Sequence, residues 1–139
     1  MSWIYHFRPV EEEDIEGYLG FVYLITNLTN GKKYIGKKLI KGRRTKLVKG
    51  KKKKFLVDSD WKKYWGSNKT LQEDIKALGE GYFSRQILKF CKSKGEANYF
   101  EAKYQFQHDV LISKEYYNDW IMVKVARSHL KKVDIFQPM

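Results

Sequence analysis

The stretch Gly20–Lys38, GFVYLITNLTNGKKYIGKK, decides how this chain is read. The run GFVYLIT (20–26) is rich in β-branched and aromatic residues and apolar on both faces, the pattern of a buried strand. Asn30-Gly31 is a strong turn signal inside the polar run NLTNG, and KKYIG returns as a second strand. The unit is a hairpin that carries Tyr23 on one arm and Tyr34 on the other. The triplet Asn27-Leu28-Thr29 has the form of a glycosylation sequon. With no secretion signal ahead of it, it is read as turn chemistry.

Directly after the second arm the chain becomes strongly basic. Residues 37–54, KKLIKGRRTKLVKGKKKK, hold 11 basic residues and no acid. The whole chain has 28 basic and 16 acidic residues, net +12, so outside this segment 17 bases face 16 acids. A charge excess this local is the footprint of a polyanion partner. The candidate contacts are Lys37, Lys38, Lys41, Arg43, Lys46, Lys49, Lys51, Lys52, Lys53 and Lys54. Charge alone selects neither DNA, RNA nor an anionic membrane, and a solvated loop or localisation signal is the bland use of such a run. Two glycines and weak periodicity make the segment read as a loop or a ragged helix.

The rest of the composition narrows the class. With 139 residues, 42% of them hydrophobic and 16% aromatic, one domain with its own core is expected. No apolar run approaches the roughly 20 residues of a membrane span, so no membrane is expected as a partner. The first residues, MSWIYHFRPVEEEDIEG, lack the form of a signal peptide. A single cysteine, Cys91, excludes an internal disulfide framework and a multi-cysteine zinc site. Both facts suit a reducing cytoplasm. His6, His108 and His129 are too scattered for a zinc cluster. Walker, GxSxG, HExxH and GxGxxG motifs are absent from the sequence.

Around the hairpin, residues 1–19 read as a partly ordered, acidic extension. Residues 58–68, DSDWKKYWGSN, read as irregular. Trp61, Tyr64 and Trp65 there are half core or, with Lys62 and Lys63, a stacking surface for bases. Ser67 or Asn68 caps a helix that ends at Gly79, and 82–91 forms a strand. Ser93-x-x-Glu96 opens a second helix running to about Leu111. Residues 120–132 are amphipathic, helix or strand. The order β-β-α-β-α defines a mixed α/β (α+β) fold, a small mixed or antiparallel central sheet flanked by helices. The expected division is a core domain at 20–120, with 121–139 packed on it.

In this order the residues resemble the GIY-YIG nuclease family. Phe21-Val22-Tyr23 stands where the family has its first triplet, and Tyr34-Ile35-Gly36 matches the second. Arg44, ten residues beyond Tyr34, matches the family's arginine, with Arg43, Lys37 and Lys38 as rivals. Glu101, inside the helix opened by Ser93, matches the glutamate, and Asn118 in YYN matches the asparagine. The resemblance covers roughly residues 20–120. It implies an endonuclease acting on duplex or branched DNA, as a monomer or a homodimer. It also implies one divalent ion, Mg2+ or Mn2+, held by Glu101. The implied catalytic set is Tyr23, Tyr34, Arg44, Glu101 and Asn118. Arg44 would contact the scissile phosphate, and Tyr34 would deprotonate or orient the attacking water. Nearby positive charge is expected to lower the Tyr34 pKa. Compact members of the family are often phage-borne, so action in a host-cell cytoplasm follows as an expectation. A non-catalytic DNA- or RNA-binding module explains the charge equally well, but not the ordered set of tyrosines and Glu101.

Overall fold

In the computed structural model, which describes residues 2–124 and 126–130, the hairpin lies within a five-stranded sheet. In chain order the elements are β1 (Ile4–Tyr5), β2 (Arg8–Pro9), α1 (Glu12–Ile15), β3 (Gly20–Asn27), β4 (Lys33–Leu39), β5 (Lys41–Val48), β6 (Lys51–Asp58), α2 (Lys69–Leu78), β7 (Phe83–Cys91) and α3 (Lys94–Gln107). Short 3-10 turns occupy Trp61–Lys63, Glu80–Tyr82 and Arg127–Leu130. The strand order is β2-β1-β7-β3-β4, with β3 antiparallel to both neighbours and β1 parallel to β7. The fold is the expected mixed α+β arrangement. Among the described residues no helix is long and apolar enough to cross a membrane.

Central position explains why β3 is apolar on both faces. Phe21, Tyr23 and Ile25 pack on one side against Trp3, Trp61, Leu71 of α2 and Phe83. Val22, on the other side, packs with Ile35 and with Ala97, Phe100 and Tyr104 of α3. Both long helices start where their caps predict. The Asn68 side chain accepts from the Leu71 N–H at 2.9 Å, and Ser93 accepts from the Glu96 N–H at 3.1 Å. In the hairpin turn, Asn27 is buried and its Oδ1 accepts from the Thr29 N–H at 3.0 Å, the turn chemistry expected of it.

Three readings of the sequence are corrected. The basic segment is neither loop nor helix: beyond β4 it forms β5 and the first half of β6, a separate antiparallel ribbon. Lys49 and Gly50 have φ of 51° and 77°, the paired positive values that a two-residue hairpin turn requires. Alternation is invisible in the sequence because both faces of the ribbon are exposed. Residues 2–19 are ordered and belong to the fold, since β1 pairs with β7 and the buried Trp3 donates from Nε1 to the Trp61 carbonyl at 2.7 Å. Helix α3 stops at Gln107 instead of Leu111, where Asp109 turns the chain with φ of 49°. Of the amphipathic segment 120–132, only Arg127–Leu130 is helical among the described residues, and 131–132 lie outside them.

Candidate active site

The second triplet's glycine has a steric reason. Gly36 stands opposite Tyr23 across β3 and β4, and a Cβ built on it would lie 2.5 Å from the Tyr23 hydroxyl oxygen. Only a bare backbone lets that phenol lie across β4 toward its outer edge. A register shift between β3 and β7 falls at Val22/Tyr23, where a bulge re-aims the local strand. The Tyr23 and Tyr34 rings sit 6.1 Å apart on the same face of the sheet.

The outer edge of β4 is closed by side chains as well as by strand. The Lys33 N–H donates to the Glu115 carbonyl and the Tyr117 N–H to the Lys33 carbonyl, each at 2.7 Å. One rung further, Asn118 stands in for a strand. Its Oδ1 accepts from the Ile35 N–H at 3.1 Å and its Nδ2 donates to the Ile35 carbonyl at 2.8 Å. Gln105 of α3 donates to the same carbonyl at 2.9 Å. At the next rung Glu101 faces Lys37, whose charge and backbone N–H pull its carboxyl pKa down. Asn98, Glu101 and Gln105 share one face of α3, spaced three and four residues apart. All three engage β4, Asn98 by accepting from the Lys37 ammonium. The helix is thus fastened along the strand edge by polar groups, and Glu101 is held at a fixed position.

Phenols from one face of the sheet and Glu101 from the other meet at this edge. They line a cleft of about 330 Å³ with Lys37, Tyr64, Ser67, Asn68, Gln105, Asn118 and Asp119. The Tyr34 hydroxyl lies 3.3 Å from Ser67 Oγ. Burial raises the Tyr34 pKa above that of a free phenol. Neighbouring Tyr64, Glu101 and Asp119 add to the rise, and the Ser67 hydrogen bond opposes it. The expectation of a lowered pKa is therefore reversed for the protein alone, where burial outweighs the nearby positive charge. Tyr23 is also neutral, since burial, first of all, holds it well above a free phenol. Burial raises the Glu101 carboxyl too, while the Lys37 charge and N–H pull it down.

Tyr64 is the residue that the sequence under-reads. Its ring meets Tyr23 edge-on at 6.0 Å, and the Lys38 ammonium lies 4.2 Å over it. Arg85 fixes the turn that presents it. This buried guanidinium lies between Trp3 and Trp65, 4.6 and 4.3 Å from their rings, and donates to the Tyr64 carbonyl at 2.8 Å. Burial lowers the Arg85 pKa to about 10. Trp61 is core, as half expected of its cluster. The one signal for Tyr64 was its place in an aromatic, glycine-containing turn just ahead of a cap.

Other expected site residues lie elsewhere. Arg44 and Arg43 are exposed on β5 and do not line the cleft; Lys37 is the only cation that does, among the described residues. Lys38 is paired with Asp60 at 2.6 Å. Lys41, Lys46, Lys49 and Lys51 to Lys54 belong to the ribbon or its turn and are exposed. Cys91 is buried and its thiol is pushed up to about 12, so it is inert.

A phenol pair over a glycine in a three-stranded antiparallel core, with a helix-borne glutamate at the strand edge, defines a nuclease domain of the GIY-YIG class. The sequence matches the family described as "Putative endonuclease segE, GIY-YIG domain" over residues 3–121, and the chain belongs to that family. It is also 40% identical over 98 residues to "Putative endonuclease segE" of Enterobacteria phage T4. That alignment covers 70% of this chain and 39% of the phage protein, so the chain spans well under half of its relative's length. No solved structure matches the chain. A match that begins at residue 3 agrees with the place of Trp3 in the core.

Proposed function

We propose that this chain is a metal-dependent DNA endonuclease that hydrolyses phosphodiester bonds in the cleft at the edge of β4. The observation that carries this reading is convergence: Tyr34, Lys37 and Glu101 come from both faces of one sheet to one opening. The donor set fits a hard divalent ion. Among the described residues there is no cluster of three or more histidine, cysteine or acidic side chains. One fixed carboxylate among hydroxyl oxygens is what Mg2+ or Mn2+ needs when water and substrate phosphate complete its shell. Glu101 would hold the ion, which when bound would acidify water and draw charge from the phosphoryl oxygens.

The chain's own groups do the positioning. Neutral Tyr34 orients the attacking water by a hydrogen bond and does not act as a ground-state phenolate. The Lys37 ammonium, at the mouth, faces the phosphoryl oxygens as negative charge builds. Tyr23 and Tyr64 wall the cleft and keep Tyr34 in place. Asn118 positions the strand, because both ends of its amide are committed to Ile35. The phage source of the relative supports a site of action in the host-cell cytoplasm. The test is supercoiled plasmid with purified protein, with Mg2+ or Mn2+ or with chelator. Metal-dependent nicking is the expected result. Gel retardation with no cutting under any condition would make this a binding module without catalysis.

A further inference from the structure

The β5–β6 ribbon is a large feature that the cleft chemistry does not use. Paired residues across it share a face. Lys41, Arg43, Lys52 and Lys54 therefore project to one side, and Arg44, Lys46, Lys51 and Lys53 to the other. Four cations per face is the whole stock of the two strands, divided evenly. Neither face is covered: only Gly42 and Val57, near the base, are half-buried. Among the described residues none of these eight cations is in an ion pair, and Lys46 and Lys53 stand directly opposite each other. Like charges opposed across a ladder destabilise it, and lone two-stranded hairpins are marginal in water. This ribbon is built for an environment that supplies negative charge on both sides.

We propose that the β5–β6 ribbon lies in the major groove of duplex DNA next to the scissile bond, each face turned to one phosphate wall. A ribbon laid flat on one backbone would gather its cations on one face. The even division fits a partner that encloses it. The major groove, about 12 Å wide, admits a two-stranded ribbon, and the minor groove, about 6 Å wide, does not. Eight residues per strand extend about 26 Å, which spans roughly seven to eight base pairs. The base is fixed to the site. Ile40 is buried between β4 and β5, and Ser59 returns the chain by donating its N–H to the Ile40 carbonyl at 2.8 Å and its hydroxyl to the Leu39 carbonyl. DNA seated on the ribbon is thereby indexed to the cleft.

This proposal rests on DNA being the substrate, and its test separates the two claims. Binding of the full chain to a duplex is measured across a salt series. One variant carries Lys41, Lys52 and Lys54→Gln, and a second carries Lys46, Lys51 and Lys53→Gln. Each should lower the salt slope by about two to three, since each phosphate contact contributes about 0.9. Dimethyl sulfate footprinting of the unmodified protein should protect guanine N7, in the major groove, over the ribbon's span, and both variants should lose that protection. If only one variant changes the slope, or if adenine N3 in the minor groove is protected instead, the groove placement is wrong. Plasmid nicking by the unmodified protein, run alongside, reads the enzyme claim independently. Equal slopes with a guanine N7 footprint but no nicking would uphold the ribbon and remove the nuclease. Nicking with a one-faced slope would do the reverse. Thermal unfolding of both variants should match the parent, because the substitutions relieve repulsion and touch no core.

Discussion

Residues 33–39 and 41–58 follow one another in the chain and are built on opposite rules. On β4, the outward backbone groups of Lys33 and Ile35 find partners in residues 115–118 and Gln105. On the ribbon, nearly every side chain is exposed and the cations repel one another. The difference separates two tasks. Chemistry needs groups fixed before substrate arrives, so the cleft is paired and partly desolvated. Docking needs charge that remains in water until phosphate replaces it, so the ribbon forgoes internal pairing. If this division is right, damage to one region should leave the other's task intact.

The largest effect belongs to Glu101. Glu101→Gln keeps the helix and loses the charge, and cutting should fall at least about a hundredfold with duplex affinity kept. The pH sign follows from the raised carboxyl pKa. The ion needs the ionised form, so cutting should fail on acidification sooner than for an ordinary glutamate. For stability the direction reverses. A raised folded-state pKa contributes stability below the unfolded value that is lost as pH rises through the folded one. Metal-free Glu101→Gln should therefore melt no lower than the parent at neutral pH, and added Mg2+ or Mn2+ should raise the parent's Tm but not the variant's. Equal metal stabilisation of both would place the ion elsewhere.

Next comes the phosphate charge. Lys37→Met keeps the stem and removes the ammonium. A charge-assisted contact of about 1.5–3 kcal/mol predicts roughly a ten- to hundredfold loss in single-turnover rate at saturating protein. Arg44→Ala should behave as a ribbon variant, with weaker binding and a normal rate at saturation. The reverse outcome would mean that the ribbon folds over the cleft and delivers Arg44 to the scissile phosphate, merging the two regions.

These two residues show how far the sequence could be read. The hairpin, both caps, Glu101 on its helix and the mixed sheet were legible because each has a local cause: turn chemistry, cap spacing or two-sided burial. Arg44 matches the arginine that the family resemblance implies after the second triplet, and a ribbon inserted after β4 carries it away from the cleft. Strand structure in that ribbon was hidden because period two shows only when one face is buried. Trp3, Tyr64 and Arg85 depend on contacts with distant residues, and no local pattern announces them. The rise of the Tyr34 pKa was missed for a similar reason. Its largest cause is burial by distant parts of the chain, and Glu101 and Asp119, far in sequence, add to it.

Tyr34→Phe sharpens the cleft's side of the comparison. A neutral phenol that only orients water is worth about one hydrogen bond, so the rate should fall roughly tenfold. A loss of 10²–10⁴ would be the mark of a general base and would require substrate or metal to reverse the phenol's shift. Binding and Tm should barely move, because the ring packing stays.

The smallest expected effect lies in the ribbon. Lys53 faces Lys46 directly, so Lys53→Glu converts a repulsive pair into an attractive one. Such a cross-strand change is worth about 0.2–1 kcal/mol. Because the ribbon forms its own two-stranded sheet and buries almost nothing, that gain should stay local. Hydrogen exchange at ribbon amides should slow by roughly 1.4- to fivefold, while exchange in β3 and β7 and the global Tm remain unchanged. Duplex affinity should drop at the same time, since one phosphate contact is lost and one repulsive charge is added. The two changes have opposite signs: a better hairpin and a poorer DNA ligand. A global Tm shift of several degrees would show that the ribbon's stability is coupled to the core, and the division between fixed cleft and charged arm would fail at its base.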